Sequence, residues 1–262
     1  MEACEIEPGD RPGSFVLRMS GLSQSHVDLD DPTRLAFDYV RRMADVVDAA
    51  APPGAPVRVV HVGGAAMTLP RYVAVTRPGS PQVVLEPASE VTELVRRELP
   101  LPRRSGIKVR GVDGRQGVAA LRDAYAELVL LDAFADGRVP ADLVTVEFFE
   151  DVARVLGAEG LLVLNLTDRA PFGWTRRVVA GLRLVFGSVA LGVEPATLRA
   201  RRLGNLVVVA SRGRVPTDAL AARAASGSAP YRVLDGRQVS DRFGGGTAFT
   251  DSDSAPSPAP DG

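Results

Sequence analysis

The stretch Val57-Arg-Val-Val-His-Val62-Gly63-Gly64-Ala-Ala-Met-Thr68-Leu-Pro-Arg-Tyr72, continued by Gln82-Val-Val-Leu-Glu86, decides how the rest of the chain is read. An apolar run from Val57 to Val62 ends in two glycines, a helix is predicted over Thr68 to Val75, and a second apolar run ends in a single acid. Glycines at the carboxyl end of a strand let the backbone approach a ligand closely, and the following helix offers free N–H groups. An acid at the end of the next strand is placed to accept both hydroxyls of a ribose. The pattern therefore points to a nucleoside cradle in a doubly wound sheet.

Outward from this stretch, strand and helix patterns alternate with short joints. Strands are predicted at Ile107 to Gly111, Glu127 to Asp132, Gly160 to Asn165, Ser188 to Val193 and Gly204 to Ala210. The intervening helical patterns include Ser89 to Glu98, Thr145 to Leu156 and Trp174 to Phe186. Such βα repeats predict a mostly parallel sheet of seven strands, the final one inserted antiparallel after a long turn. Upstream, Ser14 to Met19 and Gln24 to Val27 predict a small β-hairpin, and Asp30-Asp31-Pro32-Thr33 predicts a helix start. The resulting expectation is a disordered segment over 1–12, a hairpin region over 13–30, one α/β domain over 31–226, and an extended tail over 227–262 whose end is disordered. The tail is rich in Gly, Ser, Pro and Asp and lacks a core pattern.

Composition narrows the function classes. The chain has 262 residues, 45% hydrophobic and 24% charged, with a formal net charge of -1. That balance gives no reason to expect nucleic acid or a membrane surface as partner. The basic charge is nearly all arginine, Lys108 being the only lysine, which reflects coding bias more than phosphate recognition. A single cysteine, Cys4, excludes an internal disulfide, and no Cys/His cluster suits a metal. No segment has the apolar length of a membrane span, and the acidic start of the chain lacks signal-peptide regions, so a cytoplasmic location is expected. A homodimer is compatible with the sequence, which does not set the oligomeric state.

Ligands of open parallel sheets sit beyond the carboxyl ends of the strands, and four candidates fall there: Gly63, Glu86, Asp113 and Asp132. Gly63 and Gly64 suit close approach, Glu86 a ribose, Asp113 an adenine amino group, and Asp132 the reacting end. A helix cap for Asp113 and a loop cap for Asp132 are the structural readings of the same acids. Asn165, at the end of the fifth strand of the α/β domain, is a further candidate, whereas His61 inside a strand reads as a packed residue, Arg71 as a solvated one, and Tyr39 as too isolated to mark an amine pocket.

The order Gly63-Gly64, Thr68-Leu69, Glu86, Asp113-Gly114, Asp132, Pro140, Thr145, Glu147-Phe-Phe and Leu-Val-Leu-Asn165 resembles the spermidine synthase (polyamine aminopropyltransferase) family, over roughly Gln24 to Ser211. It is most similar to the divergent spermidine synthase-like proteins of actinobacteria. The resemblance implies an S-adenosylmethionine-methyltransferase-type, Rossmann-like sheet preceded by a small β region. It implies decarboxylated S-adenosylmethionine as co-substrate and a small-molecule amine as acceptor. Gln24, Gly63, Gly64 and Gly114 would hold the nucleoside, Glu86 its ribose and Asp113 its adenine, and Asp132 would take the proton of the attacking amine.

The chain also departs from the family. Aligned on Thr68-Leu69, Ala65 stands where the family's glycine loop carries an aspartate, and Ala135 stands at a second aspartate. Ala36-Phe-Asp-Tyr39 replaces a Tyr-His-Glu segment. Asp136, or Asp251 and Asp253 of the tail, are the candidates to replace the lost carboxylates. The same losses leave two rivals: an S-adenosylmethionine-dependent methyltransferase, and a ligand-binding protein without turnover.

Overall fold

The computed structural model describes residues 4–19, 21–199, 203–227 and 229–260, with the side chain of Leu22 outside that description. Three strands open the chain: β1 (Cys4–Pro8), β2 (Ser14–Met19) and β3 (Leu22–Asp28), paired antiparallel in that order. The α/β unit follows as α1 (Asp38–Ala49), β4 (Val59–Val62), α2 (Thr68–Thr76), β5 (Gln82–Leu85), α3 (Ser89–Glu98), β6 (Ile107–Arg110), α4 (Gly114–Ala119) and β7 (Ala126–Leu131). A short 3-10 turn at Ala141–Leu143 leads into α5 (Val146–Val155), β8 (Leu156–Asp168), α6 (Gly173–Val185), β9 (Ser188–Val193), α7 (Pro195–Leu198) and β10 (Gly204–Ser211). The chain ends with α8 (Thr217–Ser226), β11 (Arg232–Leu234) and α9 (Gly236–Phe243).

The large sheet has the order β11-β9-β10-β8-β7-β4-β5-β6. The strands from β8 through β6 are parallel, and β10 lies antiparallel between β8 and β9, as the long turn before it predicts. Alternate side chains of each central strand feed opposite layers. Val60, Val62, Val129 and Leu131 join α4, α5, α6 and α9, while Val59, Leu128 and Leu130 join α1, α2 and α8. A third cluster, from Leu17 and Val27 to Val84, Val91 and Val95, fastens the small sheet to α3 and the start of α2.

Register is what builds the site. Val62 pairs with both Leu85 and Leu131, and Leu131 pairs with Leu164. The next residues along these strands, Gly63, Glu86, Asp132 and Asn165, therefore stand side by side along one sheet edge.

Four expectations are corrected. The first twelve residues are not disordered over the described part, because Cys4 and Ile6 pack on the third cluster while Glu7 pairs with Arg18 at 2.7 Å, making a three-stranded sheet in place of a hairpin. The first helix begins at Asp38, seven residues beyond Asp31, because Asp28 Oδ1 accepts the N–H groups of Asp30 and Asp31 and fixes that segment as a turn. The sheet has eight strands, since β11 pairs with β9. Finally, the segment from 227 onward is neither a separate tail nor unstructured at its described end. Val239, Phe243 and Phe249 are buried in the main core, and Ser257 is fully buried against Val139.

Candidate active site

The glycine loop is set by contact. Gly63 has φ +91°, and a Cβ there would come within 2.3 Å of the Asp132 carbonyl oxygen, so only glycine lets β4 and β7 release their loops side by side. A Cβ at Gly114 would fall 2.4 Å from a Val62 methyl, which ties the start of α4 to the same edge. Glu86 then organises the loop. One carboxylate oxygen accepts the N–H groups of Gly64 and Ala65 at 2.9 and 3.1 Å, and the other accepts that of Ala88 at 3.0 Å. The first oxygen thus has both its lone pairs engaged, and the second keeps one open for a ligand hydroxyl.

Gln24, Gly63, Gly64, Glu86, Asp113, Gly114, Asp132 and Asp136 all line one crevice of about 430 Å³. That volume suits a nucleoside-sized ligand. Asp113 is also the cap of α4, accepting the Gln116 N–H at 2.8 Å with one oxygen. Asp136 is exposed at the rim, in a left-handed conformation at φ +50° that aspartate tolerates.

Asp132 is the chemically distinctive group. Desolvation pushes its carboxyl up to about 6, against the opposing effect of hydrogen bonds from Asn165 and Tyr39. The Asn165 Nδ2 donates to Asp132 Oδ1 at 2.9 Å, and Asn205 Nδ2 donates to Asn165 Oδ1 at the same distance. The Tyr39 phenol is held well above its ordinary range, first by burial and then by the Asp132 charge that it faces. A carboxylate that titrates near 6 is ionised at neutral pH yet binds a proton far more readily than a solvated one, which suits a general base.

Sequence reasoning missed Tyr39 and Asn205. Tyr39 stands in the segment that departs from the family, and its stacking on Phe37, with centroids 6.0 Å apart, gives both rings a place on the crevice wall. Among the other residues singled out, His61 is buried with its Nε2 2.8 Å from Gln82 Oε1, and desolvation lowers it to about 4, so it is a packed neutral group. Arg71 is not solvated: it is 2% exposed and its guanidinium donates to the carbonyls of Ala66, Leu99 and Pro100.

Asp251 does not reach the crevice. It pairs with Arg115 at 2.7 Å and accepts the Thr145 hydroxyl at 2.7 Å, while Asp253 pairs with Arg177. Both acids pin the C-terminal segment, because the arginines that they meet lie on α4 and α6. Asp251 is thereby spent as a clamp and is withdrawn as a substrate ligand. The segment continues past Trp174, whose indole N–H donates to the Ala255 carbonyl at 2.8 Å, to Arg138, which holds the carbonyls of Pro256 and Ser257.

Comparison with known proteins gives these residues a context. No protein-family model matches the chain. A polyamine aminopropyltransferase of Chromobacterium violaceum is 27% identical over 143 residues, 54% of this chain and 53% of the relative. The chain thus spans about half the length of that curated relative. The crystal structure of a probable spermidine synthase from Corynebacterium glutamicum superposes with a TM-score of 0.89 and 29% identity, covering 95% of this chain and 93% of that one. Human methyltransferase-like protein 13, solved in complex with SAH, matches with a TM-score of 0.58 and 20% identity over 71% of this chain and 88% of its own, which is a likeness of fold. Among the described residues no helix is long and apolar enough to cross a membrane. In sequence and in fold alike, the chain is similar to spermidine synthases.

Proposed function

We propose that this protein transfers an aminopropyl group from decarboxylated S-adenosylmethionine to a small-molecule amine, releasing methylthioadenosine. The observation that carries the reading is Asp132, a desolvated carboxylate titrating at about 6 beside the glycine loop that Glu86 organises. An ammonium has no lone pair, so the acceptor surrenders a proton before it attacks. Its nitrogen then forms a bond to the propyl carbon next to the sulfonium. The C–S bond breaks, its electron pair remains on sulfur, and the proton passes to Asp132. Glu86 holds the ribose, Gly63 and Gly64 allow close approach, Gln24 and Gly114 flank the nucleoside, Asp113 faces the adenine, and Asp136 stands at the rim where an ammonium enters.

Ala65 favours a second reading. The loop is neutral there, where an acid would repel the carboxylate of ordinary S-adenosylmethionine, so methyl transfer competes with aminopropyl transfer. A calorimetric titration with decarboxylated S-adenosylmethionine, S-adenosylmethionine and methylthioadenosine separates the two. The proposal expects tighter binding of the decarboxylated form and release of methylthioadenosine when an amine is added. A preference for the carboxylated form overturns it in favour of the methyltransferase.

A further inference from the structure

A second cavity, of about 560 Å³, shares Gln24, Phe37, Tyr39 and Phe134 with the nucleoside crevice. Both hydrogen-bond donors to Asp132, Tyr39 and Asn165, line it, so the carboxylate stands at the junction of the two spaces. Pro260, at the end of the described chain, lies against Gly137 on the same wall, and Thr167 on that wall meets the buried Ser257 hydroxyl at 3.2 Å. The C-terminal segment therefore completes this cavity and not the nucleoside crevice.

The lining has an unusual chemistry for a site that receives an amine. Asp38 reaches it, but pairs with Arg41 at 2.9 Å and with Arg42 at 3.6 Å. Glu194 reaches it and is likewise engaged. Beyond Glu194 and the Asp38–Arg41 pair, both of whose members line the cavity, what the wall offers is neutral. The Asn205 carbonyl oxygen and the Gln24 amide carry no hydrogen bond among the described residues, and the Tyr231 hydroxyl is buried without a partner. The direction of the amide pair is fixed: Asn205 donates to Asn165, which donates to Asp132, leaving the Asn205 oxygen as an acceptor.

We infer that the second cavity holds the acceptor, and that this acceptor carries one amino group at Asp132 and an uncharged hydrogen-bonding tail, a hydroxyl or carboxamide, in place of a second ammonium. The inference rests on the aminopropyl-transfer reading and adds the substrate class. A diamine is doubly protonated near neutral pH, and its far ammonium would leave water for a wall whose Asp38 is already paired and whose Glu194 is engaged. A hydroxyl or carboxamide meets the same wall with its hydrogen bonds satisfied. The new bond joins the acceptor nitrogen to the propyl carbon, the sulfur leaves with the electron pair of the broken C–S bond, and the proton goes to Asp132.

The test compares amines of equal length, 4-aminobutanol and 4-aminobutanamide against 1,4-diaminobutane, with release of methylthioadenosine from decarboxylated S-adenosylmethionine as the readout. We expect kcat/KM at least about tenfold higher for the neutral-tailed amines, the scale of a buried polar mismatch; equal use, or preference for the diamine, overturns the inference. The variant Asn205→Asp adds a carboxylate to the wall. Any effect transmitted through Asn165 to Asp132 cancels in the ratio of two acceptors, so the ratio alone reports the wall. That ratio is expected to move about tenfold or more toward the diamine, and an unchanged ratio removes the acceptor from this cavity. Calorimetric binding of the same amines to the methylthioadenosine complex reads the cavity without chemistry. Tighter binding of 4-aminobutanamide with no methylthioadenosine released from any amine sinks the transfer reading and leaves the acceptor class standing, whereas tighter binding of the diamine sinks the class.

Discussion

The nucleoside side of the crevice is organised by one continuous stretch, Gly63 to Ala88, with Gln24, Asp113 and Gly114 at its margins, whereas the side beyond Asp132 draws on α1, β8, β10 and the C-terminal segment. On the first side the fixing contacts are backbone to carboxylate and lie just beyond the ends of two consecutive strands. On the second they are side chain to side chain, from Tyr39, Asn165 and Asn205, and their wall is closed by residues more than a hundred positions downstream, such as Ser257 on Val139. A loop held by its own backbone tolerates change in everything but its glycines and its acid. A wall assembled from distant pieces can be altered piece by piece, which makes it the part of such a fold where substrate choice can change while the nucleoside half stays as it is.

The largest expected effect breaks the comparison at its junction. Asp132→Asn should lower turnover by about 10³-fold, the scale of a lost general base, while methylthioadenosine binding stays within about twofold. Turnover close to that of the parent would remove Asp132 as the proton acceptor. In the parent protein the rate should rise with pH through about 6, as the carboxylate ionises. Asn165→Leu deletes a hydrogen bond that favours the ionised form, so the inflection should move to higher pH. The stability sign is fixed by the same raised value. Because the folded group binds its proton more tightly than the unfolded one, its contribution is full below about pH 4, the ordinary aspartate range, and is lost as pH rises through about 6. Asp132→Asn should therefore flatten the decline in melting temperature over that window.

Next in size is the wall made by the C-terminal segment. Phe249 is 2% exposed, packs 6.1 Å from the Trp174 ring centroid, and lies 4.0 Å beneath the Arg177 guanidinium. Phe249→Ala should cost about 3 kcal/mol in urea unfolding, as a buried aromatic truncation does. If the two sides are separately built, KM for the acceptor should rise more than the dissociation constant for methylthioadenosine. Equal losses on both would show that the halves share their support. Smaller again is Glu86→Ala, which removes the acceptor of three loop N–H groups together with the proposed ribose ligand. Binding of methylthioadenosine should weaken by about 30-fold, or about 2 kcal/mol, and an unchanged affinity would refute the ribose assignment.

The same contrast explains what the sequence made legible. Gly63, Gly64, Glu86 and Asp132 end apolar runs, and in a parallel sheet buried on both faces the end of such a run is the site edge by construction. The antiparallel β10 was legible from the long turn before it. The first strand was not, because its alternation with Glu5 and Glu7 offers only Cys4 and Ile6 as an apolar face before Pro8 ends it, too short a run to stand out at a sheet edge. The C-terminal segment escaped because it is fastened by carbonyls on Arg138, Arg177 and Trp174, and hydrogen bonds of that kind leave no hydrophobic period. Arg71 read as solvated because a buried arginine that collects three carbonyls looks, in sequence, like any surface arginine. Tyr39 and Asn205 act on Asp132 only after folding has joined α1 and β10 to the edge of β7.

The smallest effect sharpens the comparison at Ala65, on the nucleoside side. Ala65 lies at φ +40°, a left-handed conformation that costs a residue with a Cβ about 1 kcal/mol, and it stays there because its N–H is held at 3.1 Å by Glu86. The resemblance to the family implies an aspartate at this position, a residue enriched in that conformation, where this chain has alanine. Ala65→Gly should relieve the strain and, after the greater freedom of glycine in the unfolded chain is set against it, raise stability by about 0.5 kcal/mol in urea unfolding. Binding of methylthioadenosine should not change, since the loop N–H groups that meet Glu86 remain. A loss of stability would mean that the loop is relaxed as it stands, and a loss of affinity would mean that the Ala65 methyl itself touches the nucleoside.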